Sequence, residues 1–366
     1  MTTLLSSSAF SEIELEFPNL FGGISISYYR GFEIFGFPIY WYGVIITVGV
    51  ILAILYCMHR SAQFGADKDR VLDVAIVAII GGFIGARAYY CIFQTLDPNS
   101  GQSYDLITAI THIRDGGLAI YGGIIGGFLV GFVMCRIRKV RFFVMCDIAS
   151  MGFLIGQCIG RWGNFVNQEA FGAEAPADWL FGMTGSVISQ QTSAGAVVHP
   201  CFLYESAWCL LGFIALHFYS KKLRSFDGET ALLYIAWYGL GRALIEGLRT
   251  DSLMLGDVRI SQLLAAASFV IAVILLIVFR IVTEKKGIPL YVNTEECAAL
   301  LEADRQKAEA DRLKREQRRA EKEKAESILI DDDEEEELPP EDGQETGEDA
   351  ESSPRDETEE NSESEE

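Results

Sequence analysis

Several side chains that can bind an anion or move a proton lie in or beside apolar stretches of this sequence. Residues 155–172 read IGQCIGRWGNFVNQEAFG and place Arg161, Asn164, Glu169 and Gly172 within twelve positions. An arginine presents a planar fork of donors to an anion, and side-chain amides and exposed glycine N–H groups add more donors. The segment is therefore typical of a site that grips a phosphate group.

A second set of polar residues follows helical spacing. Tyr238, Arg242 and Glu246 recur every four residues, which aligns them on one face of a helix. Their simplest alternative role is structural, because Arg242 and Glu246 can form a satisfied ion pair. Ionisable groups in an apolar stretch are costly, however, so each of them is also a functional candidate.

The remaining candidates are scattered along the chain. His199 and Pro200 open an apolar stretch, and Pro at a helix start costs no hydrogen bond. Two other candidates, Arg87 and Tyr42, could have structural roles only. Arg87 can extend to a membrane interface, and Tyr42 can belong to an aromatic belt. Tyr121 stands just ahead of the run GGIIGG.

The elements that must position these residues are apolar stretches of membrane-spanning length. Crossing a bilayer takes about 20 mostly apolar residues per helix. Seven stretches qualify, at about 40–58, 71–93, 117–135, 143–164, 200–219, 231–248 and 260–282. We therefore predict an all-α, polytopic membrane protein with seven transmembrane helices, and glycine-rich runs in two of them favour close helix packing.

The basic residues of the loops predict the orientation. Ten Lys and Arg follow the first, third and fifth stretches, whereas four, namely Arg30, Arg114, Arg249 and Arg259, lie on the other side. Cytoplasmic loops carry the excess of positive charge, so we expect the N-terminus outside and the C-terminus in the cytoplasm. The candidate residues then all lie in the outer halves of their helices.

The charge of the chain divides it further. Although the net charge is −21, 31 of the 51 acidic residues lie in 284–366. We expect an extracytoplasmic segment at 1–39, a catalytic membrane domain at 40–283, a charged helix at 284–326 and an acidic disordered tail at 327–366. The tail is either a partner-binding arm or, as we favour, a solubilising extension. The nearly neutral body excludes a basic nucleic-acid face.

The eight cysteines show no C-x-x-C spacing, and we predict neither a disulfide framework nor a zinc site. No basic segment precedes an apolar run at the N-terminus, so we expect no cleaved signal peptide.

At these residues the sequence resembles the bacterial prolipoprotein diacylglyceryl transferase family. The resemblance covers about residues 36 to 283, and the blocks occur in the family's order. They are IYWYG (39–43), GARAYY (85–90), DGGLAIYGGIIGG (115–127), GRWGNFVNQEAFG (160–172), HPCFLYES (199–206) and YGLGRALIEGLRTD (238–251).

The resemblance implies a reaction in the bacterial plasma membrane. The diacylglyceryl group of phosphatidylglycerol moves to the lipobox cysteine thiol of a preprolipoprotein, and glycerol phosphate leaves. It also implies that Arg161 and Arg242 are essential, that Asn164, Glu169 and Gly172 form the signature loop, and that Tyr42, Tyr238 and Glu246 are functional. We count Arg87 with the lipid-binding residues and Tyr121 and His199 with the catalytic ones. Arginines can neutralise the leaving phosphate without a metal, and no cofactor is expected.

The sequence departs from the family at one position. Where many members have a histidine in F-H-G-G, the proposed base, this chain has Tyr121 in IYGG. A tyrosine with an ordinary pKa near 10 is a poor base at neutral pH. His199, Glu169 or a Tyr121 with a lowered pKa remain candidates. We favour no dedicated strong base, with the arginines lowering the pKa of the thiol and Tyr121 or His199 relaying the proton.

Two other classes of seven-helix protein compete with this interpretation. A transporter of an anionic small molecule would line a path toward both faces, whereas these polar residues gather at one depth. A retinal-type receptor needs a lysine, and no predicted span contains one.

Overall fold

The structure, a computed structural model, describes residues 5–6, 10–96, 117–193, 195–249, 254–255 and 258–335. The chain is mostly helical. Its long helices are α1 (Trp41–Arg60), α2 (Lys68–Leu96), α3 (Ile120–Ile137), α4 (Phe142–Asn167), α5 (Cys201–Lys222), α6 (Glu229–Ile245), α7 (Ile260–Lys286) and α8 (Glu295–Glu335). Residues Met1–Arg305 form one compact unit, and the part of the chain from Gln306 onward is separate.

Each of the seven predicted apolar stretches coincides with one of the helices α1 to α7. Within the described residues, six helices are long and apolar enough to cross a membrane, so the chain is a polytopic membrane protein. The other helix, α6, has only 17 residues, but a 3₁₀ turn at Glu246–Leu248 continues it.

The prediction of an all-α chain is too narrow, because short strands precede α1. They are β1 (Leu5–Ser6), β2 (Glu12–Phe17), β3 (Ile24–Tyr29), β4 (Gly31–Ile34) and β5 (Phe37–Tyr40). Three short pieces, β6 (Thr184–Gly185), β7 (Met254–Leu255) and β8 (Val258–Arg259), follow later. The sheet orders are β1-β4-β5, β3-β2-β6 and β7-β8, and every pairing is antiparallel.

Strand β2 explains why this segment folds against the rest of the chain. Its sequence EIELEF alternates, so Ile13, Leu15 and Phe17 point inward and are buried. Leu15 and Phe17 share a small core with Phe171 and Phe202, which follow α4 and begin α5. The N-terminal strands therefore lie at the same end of the bundle as the end of α4.

Helices α2 and α3 pack through glycine. A Cβ atom on Gly85 would lie 2.9 Å from the Cα atom of Gly126, and one on Gly122 would meet the carbonyl of Gly85. In a membrane, such close backbone contact stabilises the helix pair through van der Waals packing, and larger side chains would keep the helices apart.

Helices α5 and α6 are joined by a tryptophan pair, Trp208 and Trp237. Their rings stack with centroids 4.5 Å apart, and each indole Nε1 donates to the backbone carbonyl of the other residue at 2.9 Å. Gly212 and Gly241 lie against the indoles and leave room for them.

A segment after α7, residues 288–305, contacts three separate loops, and we call it the C-terminal clasp. Tyr291 N–H donates to Asp227 at 3.1 Å, and the Arg141 guanidinium lies 4.2 Å from the centre of the Tyr291 ring. Cys297 is fully buried against Gly65. In addition, Arg141 pairs with Glu296 and Arg70 with Asp304 at 2.7 and 2.5 Å.

Two predicted boundaries differ from the observed helix ends. Helix α7 continues to Lys286, past the boundary predicted at 283, and α8 continues to Glu335, past the tail start predicted at 327. Glu, Leu and Lys are good helix formers, so these segments extend the helices that precede them. The rest of the predicted tail, from 336 onward, lies outside the described residues, as do Arg114 and residues 115–116 and 250–251 of the matching blocks.

Candidate active site

The candidate site is built around one buried carboxylate, Glu205, near the start of α5. Its Oε1 accepts from Arg242 Nη1 at 3.0 Å and from Arg249 Nη1 at 3.3 Å, and its Oε2 contacts Arg161 Nη2. Arg242 Nη2 also lies 2.7 Å from Glu246 Oε2. These five residues form the arginine cluster, in which three guanidinium groups meet two carboxylates.

Four elements bring the cluster together. Arg161 lies in the last third of α4, Glu205 in the first turns of α5, and Arg242 near the end of α6, while Glu246 begins the 3₁₀ turn after α6. Burial differs within the cluster. The side chain of Glu205 is 5% exposed and that of Glu246 2%, whereas Arg161 and Arg242 are each 20% exposed. Arg161 and Arg242 thus form the accessible edge of the cluster.

The end of α4 fixes the signature loop. Gln168 adopts a left-handed conformation, with φ +52°, and ends the helix, which turns the chain toward Glu169. The side chain of Gln168 is buried, where its Nε2 donates to Glu14 O at 2.8 Å and its Oε1 accepts from Val187 N–H at 3.0 Å. Gln168 therefore anchors the loop to β2.

Asn164 and Glu169 face each other across that turn. Asn164 Nδ2 donates to Glu169 Oε1 at 2.9 Å, and its Oδ1 accepts from Arg161 Nη1 at 3.5 Å. The amide thus connects the carboxylate of Glu169 to the edge of the arginine cluster.

Gly172 occupies a position without room for a side chain. A Cβ atom there would lie 2.8 Å from His199 Cβ, 2.9 Å from Cys201 Sγ and 3.0 Å from Leu248 O. Its N–H donates to His199 O at 2.8 Å, and it pairs with Arg249 in an antiparallel bridge. The glycine thereby lets the backbone of Arg249 approach the loop, and Arg249 can reach Glu205.

His199 lies beside this bridge. Its Nδ1 is 3.3 Å from Tyr204 Oη, which also accepts from Trp179 Nε1 at 2.8 Å. Partial burial lowers the pKa of His199 below its ordinary value of 6.5. The imidazole is therefore neutral at pH 7 and able to accept a proton.

Tyr42 and Tyr238 lie on helices that flank the cluster. The Tyr42 ring fills the space beside Gly163, where a Cβ atom would lie 2.8 Å from its Cδ2. Tyr238 stacks on Tyr234, whose hydroxyl accepts from Gln157. Tyr42 thus contacts α4 close to Arg161, and Tyr238 lies one turn before Arg242.

Arg87 and Tyr121 lie on α2 and α3, the helix pair that packs through glycine. Arg87 Nη1 donates to Gly117 O at 3.1 Å, and its guanidinium lies 5.8 Å from the centre of the Tyr90 ring. Tyr121 is the second residue of α3 and is about half exposed. Among the described residues, no hydrogen bond joins Tyr121 to Arg161 or Arg242.

Two members of the cluster, Glu205 and Arg249, have no role that the sequence alone predicts. Glu205 stands in a predicted span, where a buried carboxylate needs a cationic partner. Arg161 and Arg242 are predicted at the same depth, and this is the one sequence signal that points to Glu205 as their partner. In the sequence, Arg249 stands out only as a positive charge in a loop. Its role depends on the bridge to Gly172, which no local pattern indicates.

The cluster has the chemistry of an anion site. Guanidinium forks bind phosphate oxygens in pairs and hold their charge at any physiological pH. No group of three His, Cys, Asp or Glu side chains that could hold a metal ion occurs in the part of the chain that the structure describes.

Comparison with known proteins gives consistent matches. Residues 30–278 match the family model described as prolipoprotein diacylglyceryl transferase. Proteins named phosphatidylglycerol--prolipoprotein diacylglyceryl transferase from Bacillus cereus strain G9842, Bacillus mycoides strain KBAB4 and Bacillus anthracis strain CDC 684 are each 42% identical over 246 residues. Each match covers 67% of this chain and 89% of the relative. The matched region contains the whole arginine cluster.

Proposed function

This chain belongs to the prolipoprotein diacylglyceryl transferase family, and from that premise we propose how it acts on phosphatidylglycerol. It transfers the diacylglyceryl group of this lipid to a cysteine thiol of a preprolipoprotein, which is the first step of lipoprotein maturation. The observation that carries the mechanism is the convergence of Arg161, Arg242 and Arg249 on one buried carboxylate.

In the transfer, a sulfur–carbon bond forms at C3 of the diacylglyceryl group. The bond between that carbon and the phosphate oxygen breaks, and its electron pair stays on the oxygen, which leaves as glycerol phosphate. The thiol proton must go to a base or to the product. The phosphate gains one negative charge as it leaves, so donors fixed beforehand stabilise the transition state more than the bound lipid. We assign this task to Arg161 and Arg242, with Asn164 as a further donor.

The same charges also serve the attacking thiol. A free thiol has a pKa of about 8.5, so little thiolate is present at neutral pH, and a positive environment increases its fraction. We propose that the cluster supplies this field and that no dedicated strong base is needed. His199 relays the proton, since it lies beside the Gly172–Arg249 bridge, and Tyr121 is the second relay candidate.

The other assigned residues bind the lipid or shape its pocket. Gly172 and Glu169 hold the signature loop, Glu246 orients Arg242, and Tyr42 and Tyr238 line the flanks. Arg87 fixes the start of α3 against α2 through Gly117, and we propose that it forms the far wall of the lipid site.

We propose seven membrane crossings, with the N-terminus outside the plasma membrane of a bacterial cell and the C-terminus in the cytoplasm. The C-terminal clasp contacts loops 61–70, 138–141 and 224–227, so these loops share one side of the bundle with it. The N-terminal strands contact residues 165–168 and 184–187 at the other end. This arrangement supports α6 as a seventh crossing despite its 17 residues.

The proposed domain plan follows from this topology. Residues 1–39 are extracytoplasmic and 40–283 form the catalytic membrane domain. The charged and mostly helical segment 284–326 and the acidic extension 327–366 lie in the cytoplasm. Labelling of single cysteines tests the plan. We expect a cysteine at the exposed Ser25 to react with an impermeant maleimide in intact cells, and one at the exposed Gln63, after α1, to react only after permeabilisation.

A mass measurement tests the function. Purified protein is mixed with phosphatidylglycerol vesicles and a signal peptide that carries a lipobox cysteine. We expect the peptide to gain the mass of one diacylglyceryl group, and Arg161→Ala and Arg242→Ala to abolish the gain while still inserting in membranes. A transporter of an anionic small molecule would leave the peptide unchanged in mass.

The proton relay has its own test in the same assay. Tyr121→Phe and His199→Ala are compared as single variants, and we expect His199→Ala to slow turnover more. Unchanged turnover in both variants would contradict a relay through either residue.

A further inference from the structure

We propose that Glu205 is a positioning residue that orients the guanidinium groups of the three arginines before the lipid binds. When the lipid binds, Arg161 and Arg242 leave Glu205 and bind the phosphate of the lipid. The proposal rests on the function proposed above. It concerns a residue of α5 that touches the arginines rather than the reacting atoms.

The contacts of Glu205 define this role. Its two oxygens meet three guanidinium groups from α4, from α6 and from the segment after the 3₁₀ turn. Without a carboxylate between them, three cations at this separation would repel one another and turn apart. Glu205 therefore fixes the directions in which the forks point.

Burial separates the three arginines into two kinds. The side chain of Arg249 is 9% exposed, whereas Arg161 and Arg242 are each 20% exposed and form the accessible edge. Arg249 is also fixed through its backbone bridge to Gly172. We infer that Arg249 remains with Glu205 when the lipid arrives and that the other two arginines rotate toward the phosphate.

The charge of the cluster fits one phosphodiester. Three guanidinium groups and the two carboxylates Glu205 and Glu246 leave one positive charge in excess, and the phosphodiester of the lipid carries one negative charge. Glu205 and the phosphate compete for the same donors, so the carboxylate weakens anion binding while it maintains alignment. A residue with both effects lowers affinity and raises turnover.

The variant Glu205→Gln tests this combination because it keeps the shape and removes the charge. Two quantities are measured: turnover in the peptide mass assay, and the affinity for glycerol phosphate by titration calorimetry. We expect glycerol phosphate to bind about tenfold more tightly and kcat to fall about tenfold, since one charge competing at hydrogen-bond distance has effects of this order. A purely structural role would weaken binding and turnover together.

Glu229→Gln is the matched control, because Glu229 is a buried carboxylate that accepts from Tyr219 at 2.7 Å outside the cluster. It should leave both quantities unchanged. Glu205→Asp keeps the charge on a shorter side chain, and we expect wild-type affinity with part of kcat restored. If Glu205→Gln does not fold, Glu205→Asp is the deciding variant. The proposal is overturned if this variant has no turnover and its affinity for glycerol phosphate differs from that of the wild type.

Unchanged or weaker glycerol phosphate binding by a folded Glu205→Gln protein also overturns the proposal. If the wild-type protein transfers no diacylglyceryl group, the proposed function fails instead. The glycerol phosphate titration still separates the two outcomes, because it needs no turnover.

Discussion

Arg161 and Arg242 contribute the planar arrangement of their guanidinium N–H donors as well as positive charge. Arg242 uses Nη1 toward Glu205 and Nη2 toward Glu246, so a single side chain joins two buried carboxylates. A lysine ammonium is a compact charge on a flexible stem and cannot hold both directions at once. The geometry of the fork is therefore part of the site.

The geometry of the guanidinium fork predicts the effect of lysine substitutions. We expect Arg161→Lys and Arg242→Lys each to keep less than about one hundredth of wild-type turnover, because a lost charge-assisted contact costs about 1.5–3 kcal/mol and the alignment is lost as well. Turnover is measured by the peptide mass assay in vesicles. Arg312→Lys, on the exposed surface of α8, is the control and should be fully active. Near-normal turnover in both site variants would mean that charge alone suffices.

His199 predicts a pH effect on stability. Because burial lowers its pKa, the unfolded chain takes up a proton here more readily than the folded protein. The stability that depends on neutral His199 is thus present above the ordinary pKa of about 6.5 and is lost as the pH falls below it. We expect the wild-type Tm in detergent to fall further between about pH 7.5 and pH 5.5 than that of His199→Asn.

A histidine outside the site provides the comparison. His59→Asn, at an exposed position near the end of α1, should follow the wild-type pH trend. Identical trends for wild type and His199→Asn would show that His199 titrates alike in both states.

At the residue scale, the sequence alone singles out most residues of the candidate site. Arg161, Asn164, Glu169 and Gly172 lie in one segment, and helical spacing groups Tyr238, Arg242 and Glu246. Glu205 and Arg249 escaped assignment because their roles arise from contacts between α4, α5 and α6. Spacing within one element cannot reveal a partner on another.

At the scale of elements, the fold depends on how closely helices α2 and α3 approach each other. Helices α2 and α3 touch at Gly85, Gly122 and Gly126, and this contact places Tyr121 and Arg87 on neighbouring helices. The helix pair therefore has little tolerance for added atoms on either face.

We predict that Gly85→Ala destabilises the protein despite the higher helix propensity of alanine. The propensity gain is about 1 kcal/mol, whereas overpacking against Gly126 costs about 1–3 kcal/mol and the added methyl also meets the Gly122 carbonyl. The Tm in detergent should fall. Gly156→Ala on α4 is the matched control, because no atom lies within 4 Å of its Cβ position, and its Tm should stay equal or rise. A Gly85→Ala protein as stable as Gly156→Ala would contradict close packing at this site.

The helices were predictable to within a few residues, since a membrane span needs a long apolar stretch that few other structures share. The N-terminal strands were not predicted. The alternation in β2 covers only six residues, and its inward side chains find their core on residues that follow α4, far along the chain.

For the whole molecule, the C-terminal clasp connects parts of the chain that no single helix links. It binds the loops after α1, after α3 and after α5, and it lies beyond residue 278, where the family match ends. No sequence pattern indicates the clasp, because Tyr291 and Cys297 are buried singly and form no apolar stripe.

Truncation distinguishes the clasp from the rest of the C-terminal region. A chain that ends at Arg305 should keep the wild-type Tm and turnover. A chain that ends at Gly287 loses the buried Tyr291 and Cys297 and three loop contacts, and we expect its Tm to fall by several degrees, about 2–4 °C per kcal/mol for a domain of this size. Equal Tm values for both truncations would show that the clasp does not stabilise the bundle.

The stacked pair Trp208 and Trp237 gives this enzyme an optical reporter. Two indoles whose centres are 4.5 Å apart couple their electronic transitions and produce a circular dichroism couplet whose sign and size depend on their mutual angle. Trp208 lies on the same helix as Glu205, and Trp237 on the same helix as Arg242. A shift of one helix past the other during the reaction cycle would therefore change the circular dichroism spectrum of the unmodified protein, without any attached dye.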